Sequence, residues 1–349
     1  MPQPIPASSI GPSSTDHRQP RRSLQLALVI TSLTWFVLSN ALAARAARGL
    51  SNRFDAEAGR PLLTALFLIF LLIVGFTILQ GITQTGTTTL RSTLGLPRRP
   101  SAGREWALGA AIGWGLAVCS ILPMLLARSL HVRFWTEPRA FGLLLLNVAT
   151  IAAATIATEI ALRGYPFRQL IAAIGPAWAT VATAVLLGIV HYFSPDPTWI
   201  SVLATMVASI LFSVAWLRTH GLWLPWGLHF AWNASIAILF GLPVRGVVDF
   251  ASIIQTRAIG SAWLTGDDFG PEGAFLTALV LLGGIVVLVR TTRDYAWDYT
   301  HPQIVPGGYE VEPAPPAAHT AMEKEVAAKS PALVQILPTT PQSRSIDGR

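Results

Sequence analysis

The sequence is poor in charge, in lysine and in cysteine, and each shortage excludes a class of protein. Only 12% of its 349 residues are charged, about half the share of roughly 25% in an ordinary soluble domain. Its only lysines are Lys324 and Lys329, near the C-terminus, and nearly all of its basic residues are arginines. These stand at the ends of apolar runs, which argues against the clustered basic face of a nucleic-acid binder. The single cysteine, Cys119, excludes an intramolecular disulfide and a cysteine-based metal site, and is predicted to be a buried apolar residue.

Long apolar runs are what the sequence has in abundance. Hydrophobic residues make up 52% of the chain, and its mean hydropathy is +0.51. About eight runs each approach the ~20 residues that cross a ~30 Å hydrocarbon core as a helix. Helices are predicted because unpaired backbone polar groups cannot face lipid. The runs cover residues 24–44, 61–80, 106–127, 140–158, 176–193, 198–217, 222–240 and 273–290.

These runs predict an all-α fold, a polytopic membrane helix bundle with about eight transmembrane helices and disordered tails. Residues 1–23 are predicted to be a disordered cytoplasmic tail, and residues 294–349 a disordered tail rich in Pro and Ala. Residues 24–104 would hold two N-terminal transmembrane helices with their linkers, and residues 105–293 the core. A slight excess of arginine on the segments that share a side with the N-terminus places both tails in the cytoplasm.

Ionisable residues inside membrane spans are costly unless they are paired or functional, and here they concentrate in residues 140–240. Glu159 and Arg163 are four residues apart at the end of the fourth run, so they share a helix face and can form an ion pair. His191 lies near the end of the fifth run. His229 and Asn233, also four apart, project from one face of the seventh. Each group taken singly has an ordinary structural explanation.

Together these five side chains are suited to activating water against a carbonyl. A carboxylate or an imidazole can take a proton from water, which accelerates hydrolysis about 10²–10⁴-fold. Histidine and asparagine can donate to a developing oxyanion, each worth about 3 kcal/mol. In this interpretation His191 orients or deprotonates water, and His229 and Asn233 stabilise the oxyanion. Glu159 pairs with Arg163 and assists.

The ordered set of motifs resembles the CPBP family (CAAX protease and bacteriocin-processing, also called Abi), which includes the type II CAAX prenyl endopeptidases. The family pattern is Glu-Glu-x-x-x-Arg on one helix, Phe-x-x-x-His on the next, and His-x-x-x-Asn or Asp on a later one. The resemblance covers about residues 105–290 and is strongest over 155–235. The segment from Thr265 to Gly273, TGDDFGPEG, is also similar to bacterial members.

The resemblance implies an intramembrane endopeptidase in a bacterial cell membrane, with residues 105–293 as a CPBP-like protease core. The substrate would be a membrane-associated or CAAX-type lipidated peptide. The catalytic residues would be Glu159, His191, His229 and Asn233, with Arg163 in a structural ion pair. Its partners would be the lipid bilayer and a membrane peptide or lipidated protein, and no nucleic acid.

Two positions depart from the family pattern. Leu187 replaces the phenylalanine of the second motif, an apolar change that affects packing. Thr158 replaces the first glutamate of the first motif, which in the family works with the first histidine in activating water. Threonine does not ionise near pH 7, so Thr158 marks a degenerate catalytic position, and by this alignment Glu159 is the ion-pair residue. Asp196, the nearest other acidic residue, fits poorly as a base.

Three explanations of this departure stay open. Glu159 could swing to act as the base, although it projects ~100° away from Thr158 around the helix. His191 could act alone at a reduced rate. The chain could also be a catalytically degenerate, CPBP-like membrane binding protein that holds peptides without cutting them.

Metal dependence is also open at this stage. Family members have been described both as metalloproteases and as metal-independent glutamic proteases. His191 and His229 are the two side chains that would bind a divalent metal such as zinc, but asparagine is a poor zinc ligand and the first glutamate is absent. A site that requires no cofactor is therefore favoured. A transporter is a third hypothesis, because intramembrane Glu, Arg and His also build proton relays, but the sequence shows no inverted repeat.

Overall fold

The computed structural model describes residues 22–83, 89–193, 197–247, 250, 253–292 and 324–325. Nearly all of both predicted tails, and Asp196, lie outside these residues. The helices of the described part are α1 (Arg22–Arg53), α2 (Arg60–Thr83), α3 (Leu90–Thr93), α4 (Ala102–Leu126), α5 (Pro138–Arg163), α6 (Tyr165–Ile174), α7 (Pro176–Tyr192), α8 (Trp199–Thr219), α9 (Trp223–Ala234), α10 (Ala262–Thr265) and α11 (Phe275–Thr291). The strands are β1 (Leu130–Phe134) and β2 (Ile254–Ala258).

Each predicted membrane span lies on a helix of the structure. Within the described residues, five helical stretches are long and apolar enough to cross a membrane, namely 22–53, 57–83, 102–126, 138–174 and 199–219. α7 and α11 are apolar but shorter, at 17 residues each. α9 has 12 residues and is followed by a π-helical turn at Ser235–Leu239. Many large apolar side chains project outward from these helices, which suits lipid and not water. The chain is therefore a multi-pass membrane protein.

The predicted helical fold is confirmed as mostly helical, with one two-stranded sheet that the all-α prediction did not include. β1 and β2 pair antiparallel, with Leu130 opposite Ala258 and Phe134 opposite Ile254. Each strand has 5 residues, too few for a period of two to stand out, and the partners are far apart in the chain. Cys119 is exposed on α4 and not buried, because an apolar run does not reveal which of its faces meets lipid.

The fourth predicted span continues beyond its expected end. α5 reaches Arg163, and after a break at Gly164 the chain resumes as α6. A side chain at Gly164 would overlap the carbonyl oxygen of Ile160, and Pro166 is tolerated because it stands in the first turn of the new helix. As a result Glu159 and Arg163 lie within a broken helical stretch, Pro138–Ile174, and not at its end.

Two apolar cores meet along α5 and α8. One is built chiefly by α4, α8, α9 and α11, and the other by α1, α2, α5 and α6. Both α5 and α8 contribute apolar side chains to each core. The polar residues singled out in the sequence lie on α5, α7 and α9, so the bundle holds them between its two cores.

α4 and α9 approach each other closely through glycine. A Cβ added at Gly109 or Gly113 of α4 would overlap the backbone of α9, and one added at Gly227 of α9 would overlap the backbone of α4. Small residues permit such close packing of membrane helices. This contact fixes the position of the helix that carries His229 and Asn233.

We expect Gly113→Ala to lower the free energy of unfolding by about 1–3 kcal/mol, because the added methyl group meets backbone that cannot move aside. Gly115→Ala on the same helix is the matched control. An added Cβ at Gly115 meets nothing within 4 Å, and alanine is favoured over glycine in a helix by roughly 1 kcal/mol. Unfolding in mixed detergent micelles measures both. Equal stability of the two variants would contradict the packing described here.

Candidate active site

The carboxylate of Glu159 is fully buried and joins two helices. Arg163 Nη1 donates to both of its oxygens, at 3.1 Å and 3.0 Å. His229 Nδ1, from α9, lies 2.7 Å from Oε1. An ionised carboxylate only accepts hydrogen bonds, so Nδ1 carries the proton. Burying an unpaired charge costs several kcal/mol, and this arrangement compensates the charge of Glu159 within the bundle.

α8 completes the surroundings of Arg163. Arg163 Nη2 donates to the carbonyl oxygen of Ser209 at 3.2 Å, and Nε donates to the hydroxyl of Ser213 at 3.4 Å. The guanidinium lies over the ring of Phe212, 5.2 Å from its centroid, and that ring stacks on His229 at 4.7 Å. The sequence analysis missed all three residues of α8. Phe212 and Ser213 follow Ser209 by three and four residues, so all three lie on one face of α8. This spacing was the signal in the sequence that could have identified them.

A cavity of about 200 Å³ opens beside this ion pair. His229, Asn233 and Thr158 line it, whereas Glu159 stands behind the wall and supports the histidine. The hydroxyl of Thr158 donates to the carbonyl oxygen of Ala154 at 2.9 Å, so it is bound to its own helix. The remaining lining residues are Thr155, Leu162, Arg163, Leu187, Thr205, Ala208, Ser209, Phe212, Leu228, Trp232, Arg245, Glu272 and Leu281, with Ala154 itself.

The structure places His191 one helical turn beyond the cavity. Leu187, one turn earlier on α7, lines the cavity, but His191 does not. The His191 Nε2 atom lies 3.0 Å from the hydroxyl of Ser201, at the start of α8. Its ring packs edge-on against Phe269, with 5.2 Å between centroids. His191 is therefore close to the cavity but does not line it.

Glu272 and Arg245 are cavity residues that the sequence analysis did not identify. Glu272 Oε1 accepts a hydrogen bond from Trp232 Nε1 at 3.0 Å, and Arg245 Nε lies 3.9 Å from Oε2. Both charged groups are also within electrostatic range of His191. The sequence prediction took its acidic candidates from the fourth to the seventh span, and Glu272 lies after the seventh. The TGDDFGPEG segment was noted for its similarity to bacterial members, but nothing in the sequence indicates that it folds onto α9.

The donor atoms present do not fit a metal site. Nδ1 of His229 faces a carboxylate that is paired with Arg163, and His191 is engaged with Ser201. Across the described ranges, no group of three His, Cys, Asp or Glu side chains is arranged to hold a metal ion. Metal independence stays a prediction, and no step below is written through a metal.

We expect Arg163→Met to destabilise the protein by about 3–5 kcal/mol, because it leaves the buried Glu159 carboxylate without its cationic partner. Glu159→Gln combined with Arg163→Met should recover much of this loss, since no buried charge then remains. Unfolding of the wild type and the two variants in mixed micelles measures the difference. A double variant no more stable than Arg163→Met would contradict the assignment of a coupled buried pair.

Comparison with known proteins bears on the same part of the chain. Residues 140–235 match the family model described as Type II CAAX prenyl endopeptidase Rce1-like. The match includes Glu159, Arg163, His191, His229 and Asn233, and it confirms the resemblance seen in the motifs. No curated protein and no solved structure matches the chain. The helices that carry the buried ion pair and the cavity histidine thus belong to an Rce1-like type II CAAX prenyl endopeptidase (CPBP/Abi) domain, residues 140–235.

Proposed function

We propose that this chain is an intramembrane endopeptidase that cleaves a membrane-associated or CAAX-type lipidated peptide. One observation carries the proposal. The imidazole of His229, fixed by the buried Glu159, and the amide of Asn233 line one cavity within a helix bundle of the CAAX protease family. Hydrogen-bonding groups held rigidly at a cavity between membrane helices are suited to stabilising charge that develops on a substrate.

Glu159 acts in this proposal as a positioning residue. Both of its oxygens accept hydrogen bonds from Arg163, and one also accepts from His229. A swing toward the cavity would leave Arg163 buried and unpaired, at a cost of about 3–5 kcal/mol. Glu159 instead holds His229 with Nδ1 protonated, so that Nε2, on the opposite edge of the ring, is the nitrogen available to a bound peptide.

The reaction is hydrolysis of a peptide bond. Water adds to the carbonyl carbon, and the carbonyl oxygen becomes an oxyanion. The Asn233 amide donates to that oxygen, as does Nε2–H of His229 when the ring carries a second proton. Loss of one such donor typically lowers the rate about 10²–10³-fold. The carbon–nitrogen bond then breaks, and the amine leaves with a proton.

The surroundings of the cavity support a lipid-linked or membrane-buried substrate. A second cavity of about 150 Å³ lies between α1, α6 and α7, with an almost wholly apolar lining that includes Leu33, Phe167 and Leu186. Leu162 lines both cavities. An aliphatic chain in the apolar cavity would place the attached peptide near His229. In this proposal all eight predicted spans cross a bacterial cell membrane, and both tails are cytoplasmic.

Thr158 favours one alternative, a degenerate family member that binds a membrane peptide without cutting it. Thr158 stands where the family has its first glutamate, and its hydroxyl is hydrogen-bonded to its own helix. If the carboxylate at this position were indispensable, the cavity would still accept a peptide but would not activate water. Neither function requires a cofactor in this proposal.

We expect the purified protein to cleave a fluorogenic, lipidated CAAX-type peptide, and His229→Ala to abolish this cleavage. His229 faces the cavity, whereas His131 is exposed on β1. His131→Ala is therefore the matched control and should retain wild-type activity. Membrane expression and thermal unfolding of both variants check that the fold is intact. Full activity of His229→Ala would contradict the proposal.

Thr158→Glu separates the enzyme from the binding protein. Cleavage by the wild type shows that a carboxylate at position 158 is dispensable. If Thr158→Glu cleaves and the wild type does not, the site of the wild type is formed but inactive, and the binding function is then favoured. If neither the wild type nor Thr158→Glu cleaves any of a panel of lipidated and unmodified membrane peptides, the endopeptidase is rejected.

A further inference from the structure

The cavity has a carboxylate that lies outside the three family motifs on α5, α7 and α9. Among the described residues that line it, Glu272 is the acidic one. We propose that Glu272, in the turn before α11, is the catalytic residue that activates water, in place of the glutamate missing at Thr158. This inference rests on the proposed endopeptidase function and assigns its base.

Glu272 is held in place by its backbone and by one side chain. It occupies a 3-10 turn, Pro271–Gly273, that follows Gly270 with φ +91°. A Cβ at Gly270 would overlap the backbone of Pro243, so the turn is pressed against the chain that follows α9. Trp232 Nε1 donates to Glu272 Oε1 at 3.0 Å. This hydrogen bond orients the carboxylate and engages Oε1.

The second oxygen, Oε2, has unused hydrogen-bonding capacity. It is buried and accepts no hydrogen bond from the described residues. Arg245 Nε lies 3.9 Å away, beyond hydrogen-bonding distance. Oε2 therefore retains lone pairs that a turn of the side chain into the cavity it lines would present to water, while Arg245 at the exposed rim supplies a compensating charge.

The position of Glu272 along the bundle fits this role. α9 presents His229 first, and Trp232 and Asn233 one turn later. Glu272 is bound to Trp232, and its charge also reaches His191 at the end of α7. Glu272 thus lies near the helical turn that carries Asn233, and it lines the same cavity as Asn233 and His229.

The other candidates for the base are engaged elsewhere. Both oxygens of Glu159 are hydrogen-bonded behind the cavity wall. His191 does not line the cavity and contacts the hydroxyl of Ser201. Thr158 does not ionise near neutral pH. Glu272 offers a group that accepts a proton and a place in the lining of the cavity.

The step balances without a further reactant. Glu272 Oε2 accepts one proton from water, and the resulting hydroxide oxygen bonds to the peptide carbonyl carbon. The carbonyl oxygen carries the negative charge while Asn233 and His229 donate to it. When the carbon–nitrogen bond breaks, the protonated Glu272 returns its proton to the amine. The products are a carboxylic acid terminus, which keeps the second proton of the water, and an amine terminus, and Glu272 is again ionised.

The test compares Glu272→Gln with Asp268→Asn, an exposed carboxylate of the same segment, in the full-length protein and with the lipidated fluorogenic peptide. Glutamine keeps an oxygen for Trp232 but cannot take a proton. We expect kcat to fall about 10²–10⁴-fold in Glu272→Gln, with the thermal midpoint unchanged, and Asp268→Asn to keep wild-type activity. The wild-type rate should fall at low pH as the base protonates, and the residual rate of Glu272→Gln should lose this dependence.

Glu272→Asp keeps a carboxylate and tests the proposal even if Glu272→Gln fails to fold. Its kcat should be reduced, and its rate should still fall at low pH. Glu272→Gln with at least a third of wild-type activity, while His229→Ala is inactive, overturns the role of Glu272 and leaves the endopeptidase intact. A rate of Glu272→Gln that still falls at low pH, as the wild-type rate does, also overturns the role of Glu272. A wild type that cleaves no peptide overturns both the function and this assignment.

Discussion

The buried carboxylate of Glu159 lies between the guanidinium of Arg163 and the imidazole of His229, with no contact to solvent. A charge in such a place needs a partner, and two partners from two helices join α5 to α9. The buried guanidinium of Arg163 needs further partners as well, and α8 supplies them through the serines that accept its hydrogen bonds and the ring of Phe212. Three helices are thereby set in one relative position, and the cavity is the space left between them.

This arrangement divides the polar residues into a structural group and a group that can contact a substrate. Glu159 and Arg163 are buried and saturated with hydrogen bonds, so they hold the geometry. His229, Asn233 and Glu272 face the cavity, so they are the groups that can meet a substrate. In our proposal this division lets a chain with Thr158 in place of a family glutamate keep a competent site. Glu272, from a different segment, supplies the carboxylate, while the ion pair of Glu159 and Arg163 shapes the cavity.

What the sequence predicted well was local along the chain. The pairing of Glu159 with Arg163 and the shared face of His229 and Asn233 follow from a spacing of four residues, and the spans follow from hydrophobic length. What it missed depends on distant segments. The β1–β2 ribbon, the stacking of Phe212 on His229, and Glu272 beneath Trp232 all join residues far apart in sequence. The break at Gly164 was missed because the predicted fourth span ended at residue 158, before the break.

The most direct test of this account is ¹⁵N NMR of the histidines in a lipid nanodisc, with His229 assigned through His229→Gln. The account requires that His229 Nδ1 carries a proton hydrogen-bonded to a carboxylate. Its signal should therefore shift in Glu159→Gln and stay unchanged in Glu105→Gln, a second buried carboxylate that is paired with Arg99. A His229 ring protonated at Nε2 alone, or a signal that Glu159→Gln leaves unchanged, would contradict the account.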